Sequence, residues 1–255
     1  NMAQYGTIAI APTLLLGVKV GIYGMARFVL PLTPDAVLAW QPYVVAFAAT
    51  GVFFTAALAL LQTNLRRLLA FAVVSHTSLI VIGLFTLRPL GVQGALLLAV
   101  NFGFAVTVLL LMVAFVYRRT QTAELSELGG LFERIPFIAI AFLIGGFSIV
   151  GMPGTPGFDA AHLVLEAAIE HFGALPTVAA ALGNVAAAGF LLWAFQRAFL
   201  APLPEGAKPV ERVRPMEYLL GGLTLFVLLA AGFMPEPWLH LTAAATQAIA
   251  ARFGG

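Results

Sequence analysis

The sequence of 255 residues contains no cysteine and few charged residues. Without a thiol, the chain itself has no disulfide, thiolate zinc site or cysteine-ligated iron–sulfur cluster. Lysine, arginine, aspartate and glutamate make up 9% of the residues, whereas soluble domains carry about 25%. The formal net charge of +2 is small and gives no indication of nucleic-acid binding. The four histidines are too scattered to indicate a metal site, and we expect no metal and no cofactor.

Long apolar runs take the place of the missing charges, since 61% of the residues are hydrophobic. The runs are continuous rather than alternating, which predicts membrane-spanning α-helices and not a barrel. We therefore predict an all-α, polytopic transmembrane helix bundle that forms a single membrane domain over residues 1–255. The predicted spans are residues 8–30, 37–61, 68–87, 92–117, 135–172, 177–199 and 218–234, and residues 238–253 are predicted to form an interfacial helix.

The predicted span over residues 135–172 contains a proline- and glycine-rich break at Pro153, Gly154, Pro156 and Gly157. If this span is one broken crossing, nine cationic side chains lie on one side of the membrane and three on the other, with Lys19 in the membrane. If it were two crossings, the division would be six and six. The positive-inside rule therefore favours one discontinuous helix and about seven crossings. In transporters, discontinuous helices mark the transport site.

Lys19 lies at the middle of the first apolar run. A charge at mid-depth costs at least ~2.5–3.5 kcal/mol, so such a residue usually faces a protein interior or water and belongs to an ion or proton path. The alternative is a lysine whose ammonium group reaches the membrane surface. Either surface is about 11 residues away, roughly 16 Å at the helical rise. This distance favours a proton-path role for Lys19.

Other polar side chains also fall within the predicted spans. His76 lies near the centre of its span, and Asn101 lies within the next one. A buried proton path needs groups that gain and lose a proton in a low dielectric. For His76 the alternative is a structural bond to a backbone carbonyl. Four further residues follow the break at helical spacing and share one face, which is either a continuation of the path or the hydrated side of an interfacial half-helix: Asp159, His162, Glu166 and Glu170.

Five stretches carry distinctive patterns: residues 19–28 (KVGIYGMARF), 62–76 (QTNLRRLLAFAVVSH), 125–131 (LSELGGL), 151–158 (GMPGTPGF) and 192–199 (LWAFQRAF). Together, in order and with close spacing, they resemble the signatures of the antiporter-like (NuoM-type) membrane subunit of respiratory complex I. The resemblance implies a bundle of two inverted repeats, each with a discontinuous helix. It covers only the back part of that family, without the front part that carries the first glutamate and lysine of the proton path. It also implies that Lys19 is the central lysine of the path and His76 its histidine.

The sequence departs from the family pattern at several positions of that path. Phe102 stands where the family has its next histidine, and Ala161 where it has a glutamate after the break. Asn64 replaces the aspartate of a loop. Apolar side chains replace the tyrosine and the two serines that precede His76, at Phe71, Ala72 and Val73. The path is therefore either rerouted, with His162, Glu166, Asp159 and Asn101 as further candidates, or no longer conducts.

The resemblance implies a proton-translocating, non-redox subunit of a complex-I-like NADH:quinone oxidoreductase assembly. The expected partners are other membrane subunits, including one that supplies the missing front half, together with the lipid bilayer, and no nucleic acid. The expected location is the inner (cytoplasmic) membrane, as a multi-pass protein. The alternatives are a structural scaffold subunit that has lost its path, or an antiporter-like subunit of a cation/proton antiporter, a membrane-bound hydrogenase or a bicarbonate-accumulating complex.

Overall fold

A computed structural model describes residues 19–204, 209–234 and 236–254, and most of these residues are helical. Residues 8–18 of the first predicted span, and Lys208, lie outside the described residues. Within these ranges no strand occurs, and the only β-type pairing is an isolated bridge between Asn64 and Glu124. The prediction of an all-α helix bundle is therefore confirmed.

Nine helices, labelled here in chain order, organise the described residues. One short π-helical segment lies within the first helix at Met25–Val29, and another follows the seventh helix at Gln196–Leu200. A single helical turn lies at Leu131–Arg134. The nine are α1 (residues 19–32), α2 (Pro34–Leu60), α3 (Leu65–Phe85), α4 (Pro89–Thr120), α5 (Pro136–Val150), α6 (Pro156–Phe172), α7 (Ala174–Phe195), α8 (Pro215–Phe233) and α9 (Glu236–Ala250).

The helices α2, α3, α4, α7 and α8 are long and apolar enough to cross a bilayer, while α5 is a shorter apolar helix. Each of these five long helices begins three residues before the span predicted for it. Pro34, Pro89 and Pro215 explain the difference at three of them. Proline is favoured in the first turn of a helix, because the backbone N–H groups there have no acceptor within the helix. These prolines precede the apolar runs from which the spans were predicted, so the helices begin earlier than predicted. The number of membrane crossings stays a prediction.

The 32-residue helix α4 forms the centre of the bundle and packs against α3, α5, α6, α8 and α9. Two apolar clusters meet along it. One includes its carboxyl-terminal half with Phe142 of α5 and Phe190 of α7, and the other includes its amino-terminal half with Val164 of α6 and Ile80 of α3. Both halves of α4 thus pack in the protein interior, which holds its buried polar residue Asn101 inside the protein.

Helices α5 and α6 lie end to end along α4. Gly145 of α5 packs on Val108, toward the carboxyl end of α4, whereas Gly94, toward its amino end, packs on Leu163 of α6. As the chain proceeds from α5 to α6, its contacts move from the carboxyl end of α4 toward the amino end, so both helices run antiparallel to α4. The two pieces therefore act as one helix interrupted between Val150 and Pro156, and the predicted discontinuous helix is confirmed.

Asn64 joins two of the loops at one end of the bundle. Its side-chain oxygen accepts hydrogen bonds from the backbone N–H groups of Arg66 and Arg67, at 3.0 and 3.4 Å, and so caps α3. Its amide Nδ2 donates to Glu124 Oε1 at 2.6 Å. The family's aspartate could cap α3 equally well, but it could not donate to a carboxylate.

We expect Asn64→Asp to destabilise the protein by about 1–2 kcal/mol, because it removes this bond and sets two carboxylates against each other. Thermal unfolding of the detergent-solubilised protein measures the effect. In Asn64→Asp/Glu124→Gln the direction of the bond is reversed, and stability should return toward that of the parent. Equal loss in the single and double variants would contradict this interpretation.

Candidate proton-path site

Lys19 points into the bundle. Its Nζ donates a hydrogen bond to the Val100 carbonyl oxygen of α4 at 3.2 Å. The ammonium group also lies 5.7 Å from the centroid of the Phe104 ring, within the range of a cation–π interaction. These contacts hold the partly buried charge against α4.

His76 is buried in α3 and has a carbonyl oxygen at each ring nitrogen. Its Nδ1 lies 3.1 Å from the oxygen of Ala72, one turn earlier in the same helix, and its Nε2 lies 3.1 Å from the oxygen of Ile149 at the end of α5. The Phe102 ring of α4 stacks on the imidazole, with centroids 5.1 Å apart and planes 8° from parallel. Backbone bonding, the structural alternative for His76, is thus present, and one of its two carbonyls belongs to the helix break.

The last backbone carbonyls of α5 lack the partner four residues later that a continuing helix would supply. The Ser148 oxygen accepts a 3.4 Å bond from the N–H of Gly151, the residue that ends the helix. We call the carbonyl groups of Ser148, Ile149 and Val150 the terminal carbonyls. Asn101 Nδ2 of α4 donates to the Ser148 oxygen at 3.3 Å, and Asn184 Nδ2 of α7 donates to the Val150 oxygen at 2.8 Å. With His76 at the Ile149 oxygen, each terminal carbonyl has a side-chain partner from a different helix.

Two glycines make the break sterically feasible. Gly151 ends α5 with a φ of +79°, in the left-handed region that glycine adopts without strain. Gly157, in the first turn of α6, lies so close to the end of α5 that an added Cβ would be 2.1 Å from the Ser148 oxygen and 2.7 Å from Asn101 Nδ2. The two half-helix ends therefore meet directly at Asn101.

Three consecutive residues of α4 connect the parts of the site. The carbonyl of Val100 accepts the bond from Lys19, Asn101 is bonded to Ser148 both through its amide and through the Ser148 hydroxyl (2.9 Å), and the ring of Phe102 covers His76. The structure thus brings Lys19, Asn101, His76 and the break to the same turn of one helix. In such an arrangement, a change in the protonation of Lys19 or His76 can alter the hydrogen bonds that hold the two half-helices at the break.

The acidic face of α6 lies elsewhere. His162 and Glu166 form a 3.7 Å pair whose side chains are 71% and 46% exposed, and Asp159 is half-buried. In contrast, Ala161 is buried on the opposite face. The described structure does not bring the three polar residues against Lys19 or His76, so their part in a path stays a prediction.

Two residues of the site were missed in the sequence analysis. Ser148 and Asn184 both interrupt apolar runs, and an asparagine within a predicted span is a signal that could have been used. Their partners, Asn101 and Val150, are 47 and 34 residues away along the chain. Only the fold shows these pairings.

An interrupted helix within a bundle of membrane-length helices, with a buried histidine bonded to the end of its first half, is a feature of transporter-like membrane proteins. The family model described as "NADH:quinone oxidoreductase/Mrp antiporter, TM" matches residues 6–188. The chain therefore belongs to this family.

Similar proteins agree with this assignment. The chain is 30% identical to NADH-quinone oxidoreductase subunit M of Mycobacterium tuberculosis over 226 residues, which is 88% of this chain and 40% of that protein. It is also 30% identical to subunit M of Pseudomonas aeruginosa over 248 residues, 96% of this chain and 47% of that protein. A solved chain of respiratory complex I from Thermus thermophilus superimposes with a TM-score of 0.87 at 31% identity, covering 94% of this chain and 51% of that one. The chain thus spans less than half the length of these two curated relatives.

Proposed function

We propose that this chain is a proton-translocating, antiporter-like subunit of a complex-I-like NADH:quinone oxidoreductase assembly in the bacterial inner (cytoplasmic) membrane. The observation that carries the proposal is the position of Lys19. Its ammonium group is bonded to α4 one residue before Asn101, which holds the end of the interrupted helix. Membership of the family supports the same reading.

In this proposal Lys19 and His76 each carry a proton in turn. A change of charge on one alters the free energy of protonation of the other, because both lie in a poorly screened interior. The terminal carbonyls supply the negative end of the α5 dipole beside His76, which favours a cation there. The chain itself binds no nicotinamide, flavin or cluster, and it works with other membrane subunits. One of these, or a further segment, would supply the front half that the curated relatives possess.

Replacing Lys19 with methionine tests the proposal. We expect Lys19→Met to abolish proton flux through the chain in reconstituted complexes, because methionine fills a similar volume but cannot carry a proton. The flux is measured as the quench of a pH-sensitive dye in proteoliposomes, while the subunit content of the complex is checked by gel.

Lys19→Arg is the matched control, because it keeps the positive charge but does not release a proton. A path that uses proton transfer at Lys19 should be lost in both variants. Flux that is unchanged in Lys19→Met, with the complex intact, would rule out a path through this residue.

The second candidate is a structural subunit that holds its partners together without conducting. The observation that favours it is the Phe102 ring, which covers one face of His76 at the position where the family has a titratable histidine. Proteins that co-purify in mild detergent separate the wider alternatives. Iron–sulfur and flavin subunits support the redox-driven assembly, whereas cation-antiporter chains, hydrogenase subunits or a soluble zinc protein would each indicate the corresponding complex.

A further inference from the structure

An apolar groove lies between α2 and the turn that joins α6 to α7, and its volume is about 610 Å³. One wall is a stripe of α2 side chains, three or four residues apart, within residues 42–54, and the other includes Phe172 and Leu175. Thr50, a polar side chain in the wall, gives its hydroxyl proton to the Ala46 carbonyl oxygen of its own helix. The volume falls in the range of ligand sites, about 300–1,000 Å³, and the wall is apolar.

The packing of α2 against α7 explains why the groove is open at one end. Near the middle of both helices the backbones approach closely, since an added Cβ at Gly183 would lie 2.2 Å from Val52 Cγ1. Toward the start of α2 the wall has short side chains, and Pro42 within the helix has no N–H to bond the preceding turn. The groove therefore widens from Val52 toward Pro42.

The groove has the length of one leaflet of a bilayer. From Pro42 to Phe54 the helix α2 rises by roughly 18 Å, and half of a hydrocarbon core of roughly 30 Å is roughly 15 Å. At the open end the exposed rings of Trp40 and Tyr43 lie 5.8 Å apart. Exposed tryptophan and tyrosine are enriched where membrane meets water. The open end therefore lies at the level of the lipid headgroups.

Gln41 and His171 form a polar contact at the open end. Gln41 Nε2 donates to the Phe85 carbonyl oxygen at 2.7 Å and lies 3.0 Å from His171 Nε2. Because a carbonyl oxygen only accepts, this amide nitrogen is a donor, so His171 Nε2 accepts and its proton is on Nδ1. The ring also contacts that of Phe172 in the groove wall, with centroids 4.8 Å apart. Among the described residues, none accepts a hydrogen bond from Nδ1, which leaves this N–H for a ligand.

Arg88 brings a positive charge to the same end. Gly91 of α4 packs on Ala167 of α6, where an added Cβ would lie 2.9 Å from the alanine Cβ. The two helices are antiparallel, so one turn outward from this contact leads to Arg88 on one helix and to His171 on the other. The Arg88 side chain is exposed, and within the part of the chain that the structure describes it makes no ion pair. An unpaired cation therefore lies beside the open end.

Two carboxylates also occur at this end of the bundle, but neither lies at the groove. Glu170 precedes Phe172 by two residues, which is about 200° around the helix, so the two are on opposite sides of α6. Asp35 precedes Pro42 by seven residues and so lies roughly 10 Å further out along α2. The charge complementarity at the open end is therefore to an anion.

We propose that this groove is a binding site for one phospholipid, with an acyl chain between α2 and α7 and its phosphate at Arg88 and His171. An apolar wall of leaflet length suits the chain, and a guanidinium group beside a free N–H suits the phosphate. The bound lipid would connect α2 to the turn that follows the second half-helix. The inference goes beyond the proposed function, because it requires no proton path.

Photo-crosslinking of the intact complex in phosphatidylcholine nanodiscs tests the site. The probe is phosphatidylglycerol with a diazirine on one acyl chain, and peptide mass spectrometry compares labelling of residues 42–54 and 172–179 with that of the exposed side chains Leu219 and Phe226 on α8. We expect the groove to be labelled in preference to α8. A diacylglycerol probe with the same chains but no phosphate should label the groove about fivefold less, as expected for one cationic contact to an anionic headgroup.

Two variants with matched controls separate the headgroup contact from the chain contact. Arg88→Gln should lower phosphatidylglycerol labelling about fivefold, whereas Arg27→Gln, which changes an exposed arginine of α1, should not. Ala46→Phe should abolish groove labelling because it fills the wall. Ala36→Phe makes the same change at an exposed position of α2 outside the groove and should leave labelling intact.

Equal labelling by the two probes, or an Arg88→Gln variant labelled like the parent, would overturn the phosphate site. A groove that stays unlabelled while α8 is labelled would show that another protein segment covers it, which also overturns the inference. The result does not depend on flux through Lys19. A Lys19→Met variant with unchanged flux would therefore remove the proposed function and leave the lipid site standing.

Discussion

Replacing Glu217 with alanine is expected to destabilise the protein by about 3–5 kcal/mol, because it leaves a buried arginine without its counter-charge. The side chains of Arg119 and Glu217 are 2% and 4% exposed. Arg119 binds the carboxylate with both terminal nitrogens, in the two-pronged geometry that makes such pairs strong. The pair joins the end of α4 to the start of α8.

The remaining donors of Arg119 show why the loss should be large. They bond the backbone carbonyl oxygens of Phe115, Glu211 and Arg212 at 2.9–3.0 Å, so all five N–H groups are used. Glu217 also accepts a bond from the backbone N–H of Arg214 at 2.9 Å and so caps α8. Removing the carboxylate therefore disturbs the loop before α8 as well as the ion pair.

Glu211→Ala provides the matched control. Glu211 pairs with Arg214 at 3.0 Å, but the two side chains are 68% and 51% exposed. Exposed pairs contribute about 0–1 kcal/mol, so this variant should unfold close to the parent. Thermal unfolding in the same detergent measures both. A loss in Glu217→Ala no greater than that in Glu211→Ala would show that the buried pair contributes little.

Much of the architecture could be predicted from the sequence. Hydropathy located the helices, and the Pro/Gly-rich stretch located the break between Val150 and Pro156. It also marked Lys19 and His76, because a titratable residue in an apolar run is conspicuous whatever it touches. Helix starts were placed three residues late where proline opens the first turn. At these positions the helix begins at the proline, whereas the apolar run used for the prediction begins a few residues later.

The partners of the buried polar side chains could not be predicted from the sequence, because they depend on how distant helices meet. Arg119 and Glu217 are 98 residues apart, and each alone looks like an ordinary residue at a membrane edge. The same holds for Asn184, which reaches the break from another helix. The helical periodicity that grouped Asp159, His162 and Glu166 on one face was a sound guide to their neighbours, but it carried no information about whether that face looks inward.

Replacing Gly157 with alanine is expected to separate the two half-helices and to destabilise the protein by about 1–3 kcal/mol, the usual cost of overpacking. The added methyl would be 2.1 Å from the Ser148 carbonyl oxygen, which belongs to the backbone and cannot rotate away. It would also press on Asn101, which bonds Ser148 in two places. Elsewhere in a helix the same change is favourable, since alanine is the better helix former.

Gly222→Ala is the control that isolates the close approach. Gly222 lies within α8, and an added Cβ there would have no heavy atom within 4 Å. That variant should therefore be as stable as the parent, or more stable by about 0.5–1 kcal/mol. Unfolding temperatures of the two variants in one detergent decide the matter. If both glycines tolerate alanine equally, the half-helix ends do not meet at Asn101. If only Gly157 fails, the break depends on this contact, and His76 and Asn184 bind carbonyls whose position Gly157 fixes.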